Sequence, residues 1–404
     1  MKKQKDVGLR QKHHYYFKNG TMDFAVGWLL GYSQIIGLSP GEIYDCLNKV
    51  QDNNPDSWVE AFAYGMNYQE KEAEKCEEAG DLYGAGMKYL ACVHAARAVL
   101  HMCDPASEHA MTTTQTMTKA LRKAMECWDT GLHEYNFDFH GKKLPGYFTS
   151  NFNNEKPLYI VIGGGDTYRE DLYYFGGAEA LKRGYNVLLI DLPGQGSTPY
   201  DHMHFGKDTV TALESVLDHI DQLGFTGKKV LTAYSGGGYF TMLLMAKKPR
   251  IDAWVASTPL FDFKTVIEVA IPSLLAKNPS GWLAGTLTRV AGRLNKTLEA
   301  ALKKYEWQFG AGGFPNLLQT FADIGVADYT KIDAPSLFLV GLSEAVETKR
   351  QTRLIYDSLK TRQPNSKVIE YAAESGADAH CQVNNLVWAQ HHIFHWLKEI
   401  GLAP

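Results

Sequence analysis

Apolar residues recur at three- and four-residue steps through the first third of the chain, then give way to short continuous runs. From about Phe24 to Leu132 the spacing is helical. Met87, Leu90, Ala91, Ala95, Ala98, Val99 and Met102 follow it until Pro105 ends the run, and Met117, Leu121, Ala124 and Trp128 repeat it. Ser39-Pro40-Gly41-Glu42 reads as a capping box with proline at the first helical position. The longest apolar stretch, Phe24 to Leu38, is interrupted by Gly27, Gly31, Ser33, Gln34 and Gly37. It falls short of the roughly 20 apolar residues of a bilayer span and predicts a buried helix. No period of about 20–50 residues is present, which argues against a helical solenoid.

From Tyr135 onward the texture is that of strands alternating with helices. Tyr135, Phe137 and Phe139 alternate, and Gly141 opens a turn towards a strand partner. Apolar strands are predicted at Leu158–Ile162, Asn186–Ile190, Lys229–Ala233, Ala253–Ala256, Leu337–Val340 and Val368–Tyr371. Helix-length segments separate most of them, the pattern of a mostly parallel sheet with helices on both faces. The stretch of about 70 residues from Pro259 to Asp328 is too long for one crossover. It carries helical signals at Val266–Ile271 and Leu298–Trp307 and breaks at Gly310, Gly312 and Gly313, and reads as an inserted helical cap. The expected class is α/β, with an N-terminal all-helical domain over residues 1–134. A sheet domain would fill 135–404, its cap at about 259–328.

Composition narrows the function classes. The chain has 404 residues, a formal net charge of −4 and a pI near 6.4, giving no electrostatic reason to expect nucleic acid or an anionic membrane as partner. Lys2, Lys3, Lys5, Arg10 and Lys12 make the start basic, but no apolar region follows, so it reads as a solvated end and not a secretory signal. Six cysteines lack any CxxC spacing, which fits free thiols in a cytoplasmic protein.

The segment that carries chemistry is Val230-Leu231-Thr232-Ala233-Tyr234-Ser235-Gly236-Gly237-Gly238, followed by a helix through about Ala246. A strand, a sharp turn at serine and a helix make a nucleophile elbow, usually Gly-x-Ser-x-Gly, with Ala233 in place of the first glycine. Ser235 is the candidate nucleophile. The Gly236 N–H, at the helix start, is the first candidate oxyanion donor. A second donor is expected from Gly163-Gly164-Gly165-Asp166 after the first parallel strand, at Gly165 or alternatively Asp166. A dinucleotide loop is a poor reading there, because Tyr168 stands where a glycine is needed. The base is expected on the loop after the last strand, at His380. The orienting acid should follow Leu337–Val340, where only Glu344 and Glu347 offer carboxylates; Glu344 fits better, and Glu347 suits the start of the next helix. Asp191, after a strand on the same edge, should fix its own loop or touch substrate. Asp166 and Trp307 are further candidate substrate contacts. His391, His392 and His395 lack an H-E-x-x-H pattern and a third ligand, so no metal site is expected. Trp28, Tyr32, Trp58, Phe62, Trp282, Trp307 and Phe309 are mostly core candidates, a few able to line a pocket for a planar substrate.

These residues resemble one branch of the α/β-hydrolases, the members with an extra N-terminal helical domain. That branch includes 2,6-dihydroxypseudooxynicotine hydrolase, the fungal yellowish-green hydrolases that shorten polyketides, and the polyketide-trimming hydrolase of bacterial anthraquinone biosynthesis. The resemblance rests on Gly163–Asp166, Asp191-Leu192-Pro193-Gly194-Gln195-Gly196, Ala233–Gly237, Trp307-Gln308-Phe309-Gly310 and, most specifically, Gly376-Ala377-Asp378-Ala379-His380-Cys381-Gln382. The chain departs from many hydrolases in offering Glu344 where they carry aspartate. The resemblance implies an α/β-hydrolase fold, no cofactor and a homodimer. The implied activity is hydrolysis of a C–C bond beside a ketone in a small aromatic or polyketide substrate, free or carrier-bound, as in polyketide chain shortening. An esterase, thioesterase or acyltransferase would use the same three residues, and a binding protein could keep the fold without the chemistry.

Overall fold

The computed structural model describes residues 10–270, 295–310 and 313–404. Lys2, Lys3, Lys5, Ile271, Trp282 and Gly312, singled out above, lie outside them. The described residues open with five helices: α1 (Gly20–Ser33), α2 (Pro40–Leu47), α3 (Pro55–Glu78), α4 (Leu82–Met102) and α5 (Glu108–Cys127). The capping box forms at α2: Ser39 N–H donates to Glu42 at 2.8 Å and Glu42 N–H to the Ser39 hydroxyl at 3.3 Å. Helix α1 is buried around most of its circumference, which is why its sequence is apolar without a polar stripe. Along α4 the periodic residues are buried except Met87, which faces solvent one turn from the helix start.

Eight strands follow among the described residues: β1 (Leu132–Phe139), β2 (Lys142–Thr149), β3 (Leu158–Ile162), β4 (Asn186–Ile190), β5 (Lys229–Tyr234), β6 (Ala253–Ser257), β7 (Ser336–Gly341) and β8 (Lys367–Tyr371). They form one sheet in the order β1-β2-β4-β3-β5-β6-β7-β8. The run from β4 to β8 is parallel, and β1 and β2 add an antiparallel hairpin at the β4 edge. His140 and Gly141 both take positive φ, 50° and 74°, the backbone of a type I′ hairpin turn. The helices described after β3 are α6 (Ala178–Lys182), α7 (Asp208–Gln222), α8 (Gly236–Met245), α9 (Phe263–Ala270), α10 (Lys296–Phe309), α11 (Gly313–Ile324), α12 (Val346–Leu359) and α13 (Leu386–Glu399). Three of these, α9 to α11, lie between β6 and β7, where a helical insertion was expected.

The alternation of side chains along each strand divides the interior in two. Tyr159, Val161, Val187, Leu189, Val230 and Val255 face a core shared with the N-terminal helices and α13. Ile160, Ile162, Leu188, Ile190, Leu231 and Trp254 face the opposite core, with α7 and α8. The N-terminal helices therefore pack onto one sheet face. Among the described residues no helix is long and apolar enough to cross a membrane.

The segment ahead of α1 is fastened by one buried carboxylate. Asp23 accepts the backbone N–H groups of Tyr15, Tyr16 and Phe17 and the Gln11 side-chain amide, at 2.7–3.2 Å. The segment then reaches the sheet edge, where the His380 N–H donates to the Arg10 carbonyl at 2.7 Å. Asp23→Ala would leave these donors without their acceptor. It is expected to lower the unfolding free energy by about 2–4 kcal/mol in urea titration and to open residues 10–18 to proteolysis. An unchanged midpoint and cleavage pattern would refute this role for Asp23.

Candidate active site

Strand β5 ends in a turn that a side chain adopts only under constraint. Ser235 has φ 53° and ψ −124°, and α8 starts at the next residue. Its N–H donates to the Ser257 carbonyl at the end of β6 (2.6 Å), and its own carbonyl accepts from Gly238 N–H (2.8 Å). The small neighbours follow from close backbone approach. A Cβ on Gly237 would stand 2.3 Å from the Gly163 carbonyl oxygen, and one on Gly164 would stand 2.6 Å from Ser235 Cβ. Ala233, in place of the usual first glycine, is buried within β5, where its methyl is accommodated.

Three loops at this sheet edge bring the expected residues together. His380 Nε2 lies 2.9 Å from Ser235 Oγ, and His380 Nδ1 lies 3.1 Å from Glu344 Oε2. The Thr258 hydroxyl donates to the same Glu344 oxygen at 3.0 Å. Ser257 binds the other two loops: its carbonyl accepts from the Cys381 thiol (3.2 Å) as well as from Ser235 N–H, and its hydroxyl donates to Gln382 (2.8 Å). Buried Asp378 joins the acid and histidine loops by accepting from the Ser343 hydroxyl (2.5 Å) and the Asn384 amide (3.2 Å). Sequence reasoning did not single out Ser257 and Thr258. The available signal was a polar pair at the end of an apolar strand on the same edge. Burial works against a charged His380, but the Glu344 carboxylate beside it favours the imidazolium, and the ring is raised above the ordinary histidine value.

The glycine loop after β3 is held by its carbonyls. Gly163 O accepts from the Gln195 side chain (2.5 Å) and Gly165 O from the Gln308 side chain (2.5 Å); Asp166 O accepts from Arg97. With the carbonyls drawn outward, the Gly165 nitrogen stands 3.6 Å from where a Cβ on Gly236 would lie. Among the described residues neither the Gly165 nor the Gly236 N–H donates a hydrogen bond. Two free amides beside a serine hydroxyl can receive a developing oxyanion. Gln195, Gln308 and Arg97 act across long sequence separations, and only the motifs around the two glutamines hinted at them.

Other expected residues sit elsewhere. Glu347 is not beside His380: it lies in the first turn of α12, paired with Arg350 (2.6 Å) and accepting from Gln351 (3.0 Å). Asp166, expected as an alternative oxyanion donor or substrate contact, stands on the glycine loop with its carboxylate paired to Arg10 (2.9 Å) and Lys304 (2.8 Å). Trp307 rests its ring on Tyr200 (4.8 Å between centroids), and it is the next residue, Gln308, that meets the glycine loop. Asp191 is buried under its own loop, where a Cβ on Gly196 would collide with it; burial pushes its carboxyl well above the usual range. His391 stacks on Trp388 and His395 along α13.

A mostly parallel eight-stranded sheet with a serine turn, a histidine and a carboxylate at its C-terminal edge defines an alpha/beta hydrolase. The chain belongs to the alpha/beta hydrolase family, whose model matches residues 160–382. It is similar to Hydrolase LUC6 of Fusarium sp, 26% identical over 96% of this chain and 98% of that one. It is also similar to 20-hydroxy-prefusarin hydrolase FUS2 of Gibberella moniliformis, 26% identical over 77% of each chain. Among solved structures, 2,6-dihydroxy-pseudo-oxynicotine hydrolase superposes with a TM-score of 0.62 at 16% identity, covering 92% of this chain and 94% of that one, a likeness of fold.

The His380 environment gives a direct test. In a histidine NMR titration, His380 is expected to lose its proton above the ordinary histidine range. In Glu344→Gln the midpoint should fall, because the neutral amide no longer favours the imidazolium. An unmoved midpoint would mean that Glu344 does not act on this ring.

Proposed function

We propose that the protein is a serine hydrolase that cleaves a C–C bond beside a ketone, in a polyketide or aryl ketone. The observation that carries the serine-dependent part is the continuous chain from Ser235 Oγ through His380 to Glu344, at 2.9 and 3.1 Å. The preference for a C–C bond rests on the resemblance of the glycine, elbow and histidine-loop motifs to the branch with an N-terminal helical domain.

In this mechanism His380 Nε2 takes the Ser235 proton as Oγ adds to the ketone carbon. The carbonyl oxygen becomes an alkoxide facing the Gly165 and Gly236 amides. Collapse re-forms the carbonyl and breaks the bond to the adjacent carbon. The electron pair leaves as an enolate or an electron-rich ring carbon and takes the proton from the His380 imidazolium. A water molecule then gives a proton to His380 and adds to the Ser235 ester. The second collapse expels Ser235, which recovers its proton, and releases a carboxylic acid. Glu344 holds Nδ1–H throughout and stabilises the imidazolium. A carbanion is a poor leaving group, so the fixed amides and the exclusion of water carry more of the barrier than in ester cleavage.

The decisive experiment follows the acid fragment released from a panel of 1,3-diketones and acyl phenols, beside matched esters. Rapid ester cleavage with no acid from any ketone would leave an esterase and overturn the C–C reading. Ser235→Ala should lower kcat by about 10³-fold or more and abolish labelling by a fluorophosphonate probe. Labelling elsewhere, or undiminished turnover, would remove Ser235 from the mechanism. Glu344→Ala should cost about 10²–10⁴-fold in kcat/KM, and Glu347→Ala less than about threefold. Equal and mild losses from both would mean that the acid lies on another loop.

A further inference from the structure

Strand β6 ends beside the acid loop as well as beside the serine. Thr258, the first residue after β6, is fully buried. Its backbone is wedged against the first turn of α8, where a Cβ on Gly238 would collide with the Thr258 carbonyl oxygen. Held in that way, its side chain reaches the acid loop and the hydroxyl donates to Glu344 Oε2 at 3.0 Å.

The Glu344 side chain is 1% exposed, so hydrogen bonds from the protein must stand in for water around its charge. Both of its donors use one oxygen. His380 Nδ1, at 3.1 Å, shares Oε2 with the Thr258 hydroxyl, while Oε1 is buried without a hydrogen-bond partner among the described residues. Two donors on one oxygen divide its charge between them. What the Thr258 hydroxyl draws is not available to hold a second proton on the His380 ring. The division matters because the acid has two opposed duties. Glu344 must orient the ring and stabilise the imidazolium once it forms, yet a carboxylate that pulls too hard keeps His380 protonated and unable to take the Ser235 proton.

We propose that Thr258 is a positioning residue whose hydroxyl fixes Glu344 Oε2 and takes up part of the carboxylate's charge, leaving His380 free to accept the Ser235 proton. The proposal rests on the reading of Ser235, His380 and Glu344 as the reacting set. The other titratable and charged groups around the ring lie on three segments. Cys381 gives its thiol to the Ser257 carbonyl, Asp378 faces His13 (3.4 Å) as well as Ser343 and Asn384, and Arg10 turns its side chain to Asp166. None of them bonds to the Thr258 hydroxyl, so its removal acts through Glu344.

The test reads the proton affinity of the His380–Glu344 pair in the full chain. Two readouts serve: the acid limb of the pH dependence of fluorophosphonate labelling at Ser235, and the histidine NMR titration of His380. Thr258→Val keeps the branched shape and removes only the hydroxyl, and its midpoint should move up by about 0.5–1 pH unit, so that labelling is slowed most at the acid end. Thr258→Ala, a second variant without the hydroxyl, should shift it in the same direction. Thr258→Ser should return it to the native value. In Glu344→Gln, adding Thr258→Val should move the NMR midpoint less than half as far. An unmoved or lowered midpoint in the hydroxyl-free variants would overturn the proposal, as would slower labelling at every pH with the midpoint in place, which is the mark of a packing role. A shift that Thr258→Ser does not reverse would overturn it too. If Glu344→Gln itself leaves the midpoint in place, the reading beneath the proposal fails with it; if that midpoint falls while the hydroxyl-free variants stay native, Thr258 alone is removed.

Discussion

The backbone at Ser235 is the constraint from which the rest of the site follows. A non-glycine residue at φ 53° and ψ −124° stores about 1–3 kcal/mol of strain, and it persists only where its surroundings leave no alternative. Here the Ser257 carbonyl holds the Ser235 amide, and α8 fixes what comes after it. The Gly163–Gly164 backbone closes the remaining side so tightly that neither Gly164 nor Gly237 has room for a methyl group. The turn puts the hydroxyl clear of the sheet and leaves the next amide unused by the helix. The same Ser257 that holds the strained turn also holds Cys381 and Gln382, so one residue at the end of β6 sets the separation between the serine and histidine loops.

A second layer of constraint comes from the N-terminal helices. Arg97 on α4 reaches across to both the Asp166 carbonyl and Asp171, and Tyr32 on α1 donates to Asp171 from the same side. A buried ion pair of this kind contributes little net stability, but removal of either partner leaves a charge stranded in the interior. Its consequence is positional: the helices cannot shift relative to the sheet without moving the loop that carries the Gly165 amide. Arg10 adds a third contact from the segment ahead of α1, touching Asp166 through its side chain and His380 through its carbonyl. These helices are therefore part of the site's support.

What the sequence made legible was local. The parallel strands announced themselves because strands buried on both faces are apolar without alternation, and the ends of β3, β5, β7 and β8 carried the glycine loop, the serine, the acid and the histidine in readable order. The choice between Glu344 and Glu347 was legible only in part. Both stand after β7, and what separates them is a contact across 36 residues to His380 in one case and an i,i+3 partner, Arg350, in the other. Gln195, Gln308, Arg97 and Thr258 were out of reach for the same reason. Each owes its role to a partner between 32 and 143 residues away, and nothing in the local pattern separates a glutamine that grips a carbonyl from one on the surface. Beside Trp307, which the pattern marked, it is the amide of Gln308 that reaches the glycine loop, and nothing in the local pattern singled it out.

The two supports of the glycine loop also depend on each other. Gln308 and Lys304 stand four residues apart on α10, on one face of that helix, and hold Gly165 O and Asp166 Oδ1 respectively. Arg97, on α4, holds the same loop at the Asp166 carbonyl. The Gly165 N–H shares its planar peptide with the Gly164 carbonyl, which accepts from the Thr167 hydroxyl (3.4 Å), and with the carbonyls of Gly163 and Gly165 on either side also held, the amide has little freedom to turn. The geometry an oxyanion would meet is thus a property of the assembled molecule, created where α4, α10 and the end of β3 come together, although no residue of α4 or α10 need touch the reacting atoms.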